Sequence, residues 1–140
     1  EKTTMMVGSE SLYQLVYTSR LAFDASVSSV ADICRVSRVR NDQDGVTGLL
    51  IFDGLRFCQY LEGARDKVRA LAQAICEDVR HEQFMILHEG EFSGPRLFND
   101  WSMGYALTDD EDMLSSVLAM RGVSTVQAVQ GLVPRLDLQP

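Results

Sequence analysis

Gln59 sits between Phe57 and Leu61 in the run Val46 to Gly63, VTGLLIFDGLRFCQYLEG. Side chains alternate along a strand, so Phe57, Gln59 and Leu61 share one face while Cys58 and Tyr60 share the other. An amide on an apolar face must satisfy both its oxygen and its NH2 group, or cost about 1–3 kcal/mol. Either backbone groups meet that need, or something bound there does. The chemistry an amide offers is reversible. It accepts at oxygen and donates at nitrogen, and rotation or tautomerisation exchanges those roles without moving the backbone. Tyr17, Asn41, Trp101 and Met103 are the other residues whose types suit such a site. Each also fits a plain structural role. Tyr17 can be a core tyrosine with its hydroxyl on backbone, Asn41 a left-handed helix C-cap, and Trp101 and Met103 ordinary core.

Other chemistries lack their motifs. There is no GxxxxGK[ST], GxGxxG or GxSxG, which leaves a P-loop, a dinucleotide fingerprint and a hydrolase elbow unsupported. The two histidines, His81 and His88, show no metal-ligand spacing and no nucleophile beside them in the chain, so no metal site is expected. Cys34, Cys58 and Cys76 cannot all pair within one chain, form no CxxC, and read as buried thiols of a reducing cytoplasm. The net charge of −7, with scattered arginines, argues against a nucleic acid or an anionic membrane surface as partner. No apolar run approaches a membrane span and no signal peptide is visible, so the expected location is cytoplasmic.

The 140 residues suit one domain with a single core. Residues 1–10 read as a tail, 11–107 as the domain and 108–140 as a helical extension. Tyr13 to Ser19 is a strand rich in β-branched and aromatic residues, with Tyr13, Leu15 and Tyr17 on one face. A helix is expected over about Val27 to Val39, with Ser29 and Asp32 as a capping pair. Arg40 to Gly45 reads as polar loop. Asp53-Gly54 then joins two strands as a type I′ hairpin turn, in which both central residues have positive φ. Val68, Leu71, Ala72, Ile75, Cys76 and Val79 form the clearest helical stripe, opened by Asp66 and closed by Arg80 and His81. Phe84 to His88 and Trp101 to Ala106 complete the strands. Thr108 to Glu111 reads as a capping box before a helix bearing Met113, Leu114, Val117 and Leu118, and a weaker segment spans about Ser124 to Val133. The order βαββαββ predicts an α+β, ferredoxin-like fold, a five-stranded mixed sheet with two helices on one face and further C-terminal helices. Its first and third strands are neighbours, which brings Tyr17 within hydrogen-bond reach of Gln59. The C-terminal helices are expected to cover the sheet's outer face.

Taken together, LVYTS, SxxxNxxxGxTGLL (Ser37 to Leu50), FxQxLEG (Phe57 to Gly63), the helix end DxRH (Asp78 to His81) and WSM (Trp101 to Met103) resemble the BLUF domain, blue-light sensors using a flavin. The resemblance covers about Leu12 to Leu107. It implies a non-covalent flavin, normally FAD with FMN also admitted, whose ring lies between the two helices. It further implies that Ile33 and Ile75 clamp the ring and that Asn41, with Ser37 nearby, meets its pyrimidine edge. Gln59 would link that edge to Tyr17, and Asp78 and His81 would hold the ribityl chain or the helix end. In the family the excited flavin draws an electron and a proton from the tyrosine, and the glutamine rearranges. Its new hydrogen bond shifts the absorption to the red, and the signal passes to the last strand through Trp101 and Met103. Ala74 departs from the basic residue common among relatives. No enzymatic domain is expected, so output falls to an unidentified downstream protein or to self-association, a homodimer included.

Three rival readings use the same fold: a metabolite-binding regulatory module, an acylphosphatase-like hydrolase using Arg20, and a pure interaction domain. The colour of a bound flavin separates all three from a photoreceptor.

Overall fold

The computed structural model describes residues 12–98 and 102–138, so Trp101 and the N-terminal tail lie outside the described residues. Its elements are β1 (Leu12–Leu21), α1 (Ser29–Asp44), β2 (Thr47–Phe52), β3 (Arg56–Gly63), α2 (Arg65–Glu77), β4 (His81–Phe92), β5 (Gly104–Leu107), α3 (Glu111–Leu118) and α4 (Val123–Leu132). The strands form one sheet in the order β4-β1-β3-β2-β5, antiparallel throughout except for the parallel pair β2–β5. This is the expected ferredoxin-like mixed sheet.

Strand β3 is buried on both faces because both faces of the sheet are covered. Tyr13, Leu15, Tyr17 and Leu61 pack with Val68, Leu71 and Ala72 of α2. Leu50, Phe52, Phe57 and Met103 pack with Val30, Ile33 and Cys34 of α1. On the outer face, Val16, Leu49, Ile51, Cys58 and Tyr60 meet Met113, Leu114 and Val117 of α3 and Val126, Val129 and Leu132 of α4. The C-terminal helices thus cover the sheet, as the apolar pattern of β3 requires.

Several boundaries differ from the sequence reading. Helix α1 begins at Ser29, and the Ser29 hydroxyl donates to Ser26 O instead of capping. It then runs on through the stretch read as loop to Asp44. It ends at Gly45, whose φ of 68° is the left-handed C-cap position, with Val46 N–H donating to Asn41 O at 2.9 Å. Val27, Val36 and Val39 are exposed, so the buried stripe of α1 is narrower than expected. Helix α2 stops at Glu77, which leaves Val79 exposed, Asp78 as C-cap and His81 as the first residue of β4. Cys76 is exposed while Cys34 and Cys58 are buried, which corrects the reading of three buried thiols.

The hairpin turn is centred on Gly54-Leu55, not on Asp53-Gly54. Only Gly54 has positive φ (96°), and the Asp53 carboxylate accepts from the N–H groups of Leu55 and Arg56. Strand β4 is twelve residues long and has two register shifts against β1. The expected strand Phe84 to His88 is its centre, and the charged edge and bulges mask the rest from an alternating pattern. β5 starts at Gly104, later than expected, with Met103 just ahead of it. Asp110 caps α3 by accepting from Asp112 N–H, while Thr108 Oγ1 accepts from Asp110 N–H, so the cap lies two residues beyond the expected one.

Candidate functional site: a helix-walled cleft over a tyrosine–glutamine pair

The β1–β3 register places Tyr17 directly opposite Gln59. Both are buried, at 1% and 2% exposure, and both point under the helices. The Tyr17 hydroxyl donates to Gln59 Oε1 at 2.5 Å, and Gln59 Nε2 donates to Met103 Sδ at 3.5 Å. Side chains rather than backbone therefore meet the demand of this amide. A thioether is a weak acceptor, so the nitrogen end of Gln59 is the less firmly held. Burial pushes the Tyr17 hydroxyl far above its ordinary value, which keeps it neutral and a donor. The Tyr17 ring stacks on Phe84 with centroids 4.8 Å apart and meets the edge of His81 at 6.5 Å.

Above this pair lies a cleft of about 520 Å³ including its mouth, between α1 and α2. Ile33, Val36, Ser37 and Arg40 of α1 line one wall, and Leu71, Ala74 and Ile75 of α2 the other. Tyr17 and Gln59 form the floor, and Asp78, Arg80 and His81 the end beyond α2. Ile33, Ser37 and Asn41 recur at a spacing of four on α1, which sets them on one stripe. Asn41 is fully buried one turn beyond Ser37 and lines a neighbouring hollow, together with Thr47, Arg96 and Ser102. Its Nδ2 donates to Ser102 O at 2.9 Å, while Oδ1 has no hydrogen-bond partner among the described residues.

At the far end, Arg80 grips Asp78 with both Nε and Nη2, at 3.0 and 2.7 Å, and that pairing holds the Asp78 carboxyl below its usual range. The Ser19 hydroxyl and His81 Nδ1 are 2.8 Å apart, and burial lowers the pKa of His81. Arg40 and Arg80 were not singled out from the sequence. The two-residue spacing from Asp78 to Arg80 is the local signal for this pair, while the helix dipole alone accounts for a basic residue at that end.

Apolar walls and a floor of neutral donors and acceptors suit a flat heteroaromatic ring, and the unpaired Asn41 oxygen in the adjoining hollow suits an N–H on its edge. An isoalloxazine is such a ring, and these residues fit it.

Residues 12–104 match the family model described as BLUF, sensors of blue-light using FAD. The chain is similar to the blue light- and temperature-regulated antirepressor BluF of Escherichia coli (strain K12), 39% identical over 70 residues, which is 50% of this chain and 17% of that protein. It is also similar to photoactivated adenylate cyclase subunit alpha of Euglena gracilis, 32% identical over 98 residues, which is 69% of this chain and 10% of that protein. The chain therefore spans only a small part of these curated relatives. Among solved structures, BlrB, a BLUF protein in its dark state, matches with a TM-score of 0.66 and 32% identity over 79% of this chain and 80% of that one.

Proposed function

Since the chain belongs to the BLUF family, sensors of blue light using FAD, we propose that it senses blue light through a hydrogen-bond exchange at Gln59, with Tyr17 as its proton donor. The observation that carries this reading is the buried Tyr17–Gln59 hydrogen bond, with only a weak sulfur acceptor at the other end of the amide. When bound, the flavin supplies blue absorption and an excited state that takes an electron and a proton.

Tyr17 would give up that electron and proton, its hydroxyl already pointing at Gln59 Oε1, and would take both back as the amide settles into its new partners. Gln59 then turns or tautomerises, and its NH2 group and oxygen trade partners. Met103 lies against the nitrogen end and registers the change, as Trp101 two residues earlier does in our reading. Ile33 and Ile75, on opposite walls of the cleft, would hold the ring and keep water out. Asn41 Oδ1, buried without a partner among the described residues, would accept from the ring's N–H edge, with Ser37 one turn earlier on the same stripe. Asp78, fixed by Arg80, and His81, fixed by Ser19, hold the polar tail.

We assign residues 11–107 to the flavin-binding unit and 108–140 to its helical extension. The apolar side of that extension is committed to the sheet, so its polar side is the surface for a downstream protein or a second copy. We read output as passing by contact from this surface, with no catalysis assigned to the sensing unit itself. No helix among the described residues is long and apolar enough to cross a membrane.

The test is the visible spectrum of purified protein before and after a blue flash, for wild type and Gln59→Ala. A flavin band that shifts red, reverts in the dark, and no longer shifts in the variant is the expected result. A protein that takes up no flavin when offered it would overturn the reading.

A further inference from the structure

Glu62 stands three residues after Gln59, on the opposite face of β3, and is fully buried. Both of its carboxylate oxygens are filled. Oε1 accepts from the Tyr60 hydroxyl at 3.0 Å and from Leu97 N–H at 2.8 Å. Oε2 accepts from the Thr47 hydroxyl at 2.7 Å and from Phe98 N–H at 2.8 Å. These four donors match the full accepting capacity of a carboxylate. Burying a charge is costly unless every such position is met, and here every one is. Arg96 Nη1 adds a bond to Thr47 Oγ1 at 3.1 Å.

Two of the donors are backbone N–H groups of the chain approaching β5. On the outer face that chain is fixed at Leu97 and Phe98, with the Phe98 ring 5.4 Å from that of Tyr60. On the helix face it is fixed at Ser102, whose carbonyl accepts from Asn41, and at Met103, whose carbonyl accepts from Arg38 Nε at 3.2 Å. The same Met103 presents its sulfur to Gln59. Residues 97–98 are thus held on the outer face and residues 102–103, four positions further along the same chain, at the cleft, with Glu62 as the anchor at the outer end.

We propose that Glu62 is a positioning residue for the Tyr17–Gln59 pair, anchoring the approach to β5 so that the Met103 sulfur seats on the Gln59 amide. This rests on the photoreceptor reading above. The described hydrogen bonds of Glu62 include none to Tyr17 or Gln59, so it acts through its hold on Leu97 and Phe98. Glu62→Gln keeps the size but replaces one acceptor oxygen with an NH2 group, which cannot accept from Leu97 N–H or Phe98 N–H.

The experiment uses the full chain loaded with FAD. It follows the thermal return of the flavin band after a blue flash in wild type, Glu62→Gln, Met103→Leu and the double variant. Glu62→Gln is expected to bind FAD and to return about threefold faster or more, the low end of coupling between linked residues. In the Met103→Leu background the same change has much less effect, because the route to Gln59 is already cut. A wild-type rate in Glu62→Gln, or effects that multiply in the double variant, overturns the proposal. If Glu62→Gln does not fold, Thr47→Val removes one donor and must shift the rate the same way, and no shift overturns it. Amide hydrogen exchange of Glu62→Gln against wild type, on the full chain as purified, separates this from the photoreceptor reading. Faster exchange that reaches residues 102–107 supports the anchor, and a change confined to Leu97 and Phe98 removes it. A wild type without a light-induced shift sinks the photoreceptor reading, while the exchange result still decides the anchor.

Discussion

Tyr17 and Gln59 face each other across the β1–β3 pair, and the tyrosine hydroxyl donates to Gln59 Oε1 at 2.5 Å beneath both helices. The bond joins residues 42 apart in the chain, and only the sheet register brings them together. Gln59→Leu keeps the volume and removes both polar ends. Such protein is expected to bind flavin within about tenfold of wild type, since one net hydrogen bond is lost, and to show no red shift after a flash. It is also expected to be less stable by about 1–3 kcal/mol, because the Tyr17 hydroxyl is left buried and unpaired. Adding Tyr17→Phe recovers part of that loss. Urea midpoints of the two singles and the double measure the coupling, and simple additivity contradicts it.

Asn41 carries a buried oxygen without a partner among the described residues, and we read that oxygen as a ligand contact. Asn41→Ala is expected to weaken FAD binding by about tenfold to a hundredfold, which corresponds to roughly 1.4–3 kcal/mol. Titration followed by flavin fluorescence gives the number. An unchanged affinity would show that Asn41 serves only the bond to Ser102 O.

Gly48 lies where no side chain fits. A Cβ there falls 1.9 Å from the Tyr60 carbonyl oxygen and 3.3 Å from Leu61 Cα, both backbone atoms that cannot move without disturbing the β2–β3 ladder. Gly48→Ala is expected to cost at least about 3 kcal/mol, the upper end for overpacking, or to yield no soluble protein. A urea midpoint close to that of wild type refutes this.

Burial holds His81 below the ordinary imidazole value of 6.5, and His88 is lowered for the same reason. The folded state resists the proton while the unfolded chain takes it up. Stability is therefore complete above about pH 6.5 and falls as the pH drops from there toward the lower folded values. Asp78 is held below the ordinary 3.8 by Arg80, so its contribution is present above that value and is lost only further down. Thermal midpoints between pH 8 and pH 5 are expected to decline, and to decline less in His81→Gln. Equal slopes in the two proteins rule out His81 as a source.

The three thiols differ. Burial pushes Cys34 up to about 11 and Cys58 up to about 12, while Cys76 is exposed on α2. Thiolate is the reactive form, and it must also be accessible. Iodoacetamide at neutral pH is expected to add once to the native protein, at Cys76, and at all three sites after unfolding. Mass spectrometry counts the adducts, and native labelling of Cys58 contradicts the packing of β3.

Period-2 and period-3.6 patterns reflect which faces are buried, and burial acts on each residue locally. The face assignments of β3 (Phe57, Gln59 and Leu61 inward, Cys58 and Tyr60 outward), the stripe of α2 from Val68 to Ile75 and the α+β order were therefore legible in the chain. So was the meeting of Tyr17 with Gln59, once that order implied adjacent first and third strands. What tertiary structure alone decided were the places where a polar residue finds a distant partner. Asn41 falls in the polar run Arg40 to Gly45, which locally reads as loop or C-cap, yet its amide donates to Ser102 O and α1 continues to Asp44 with Gly45 as the cap. Val79 matched the helical period but lies beyond the Asp78 turn, which Arg80 closes. Glu62 gave no local sign of burial, since a buried carboxylate is tolerable only when donors converge on it, and here they come from β2, β3 and residues 97–98. Local pattern specifies which side chains turn inward, and only the folded chain brings the partners that let polar ones stay there.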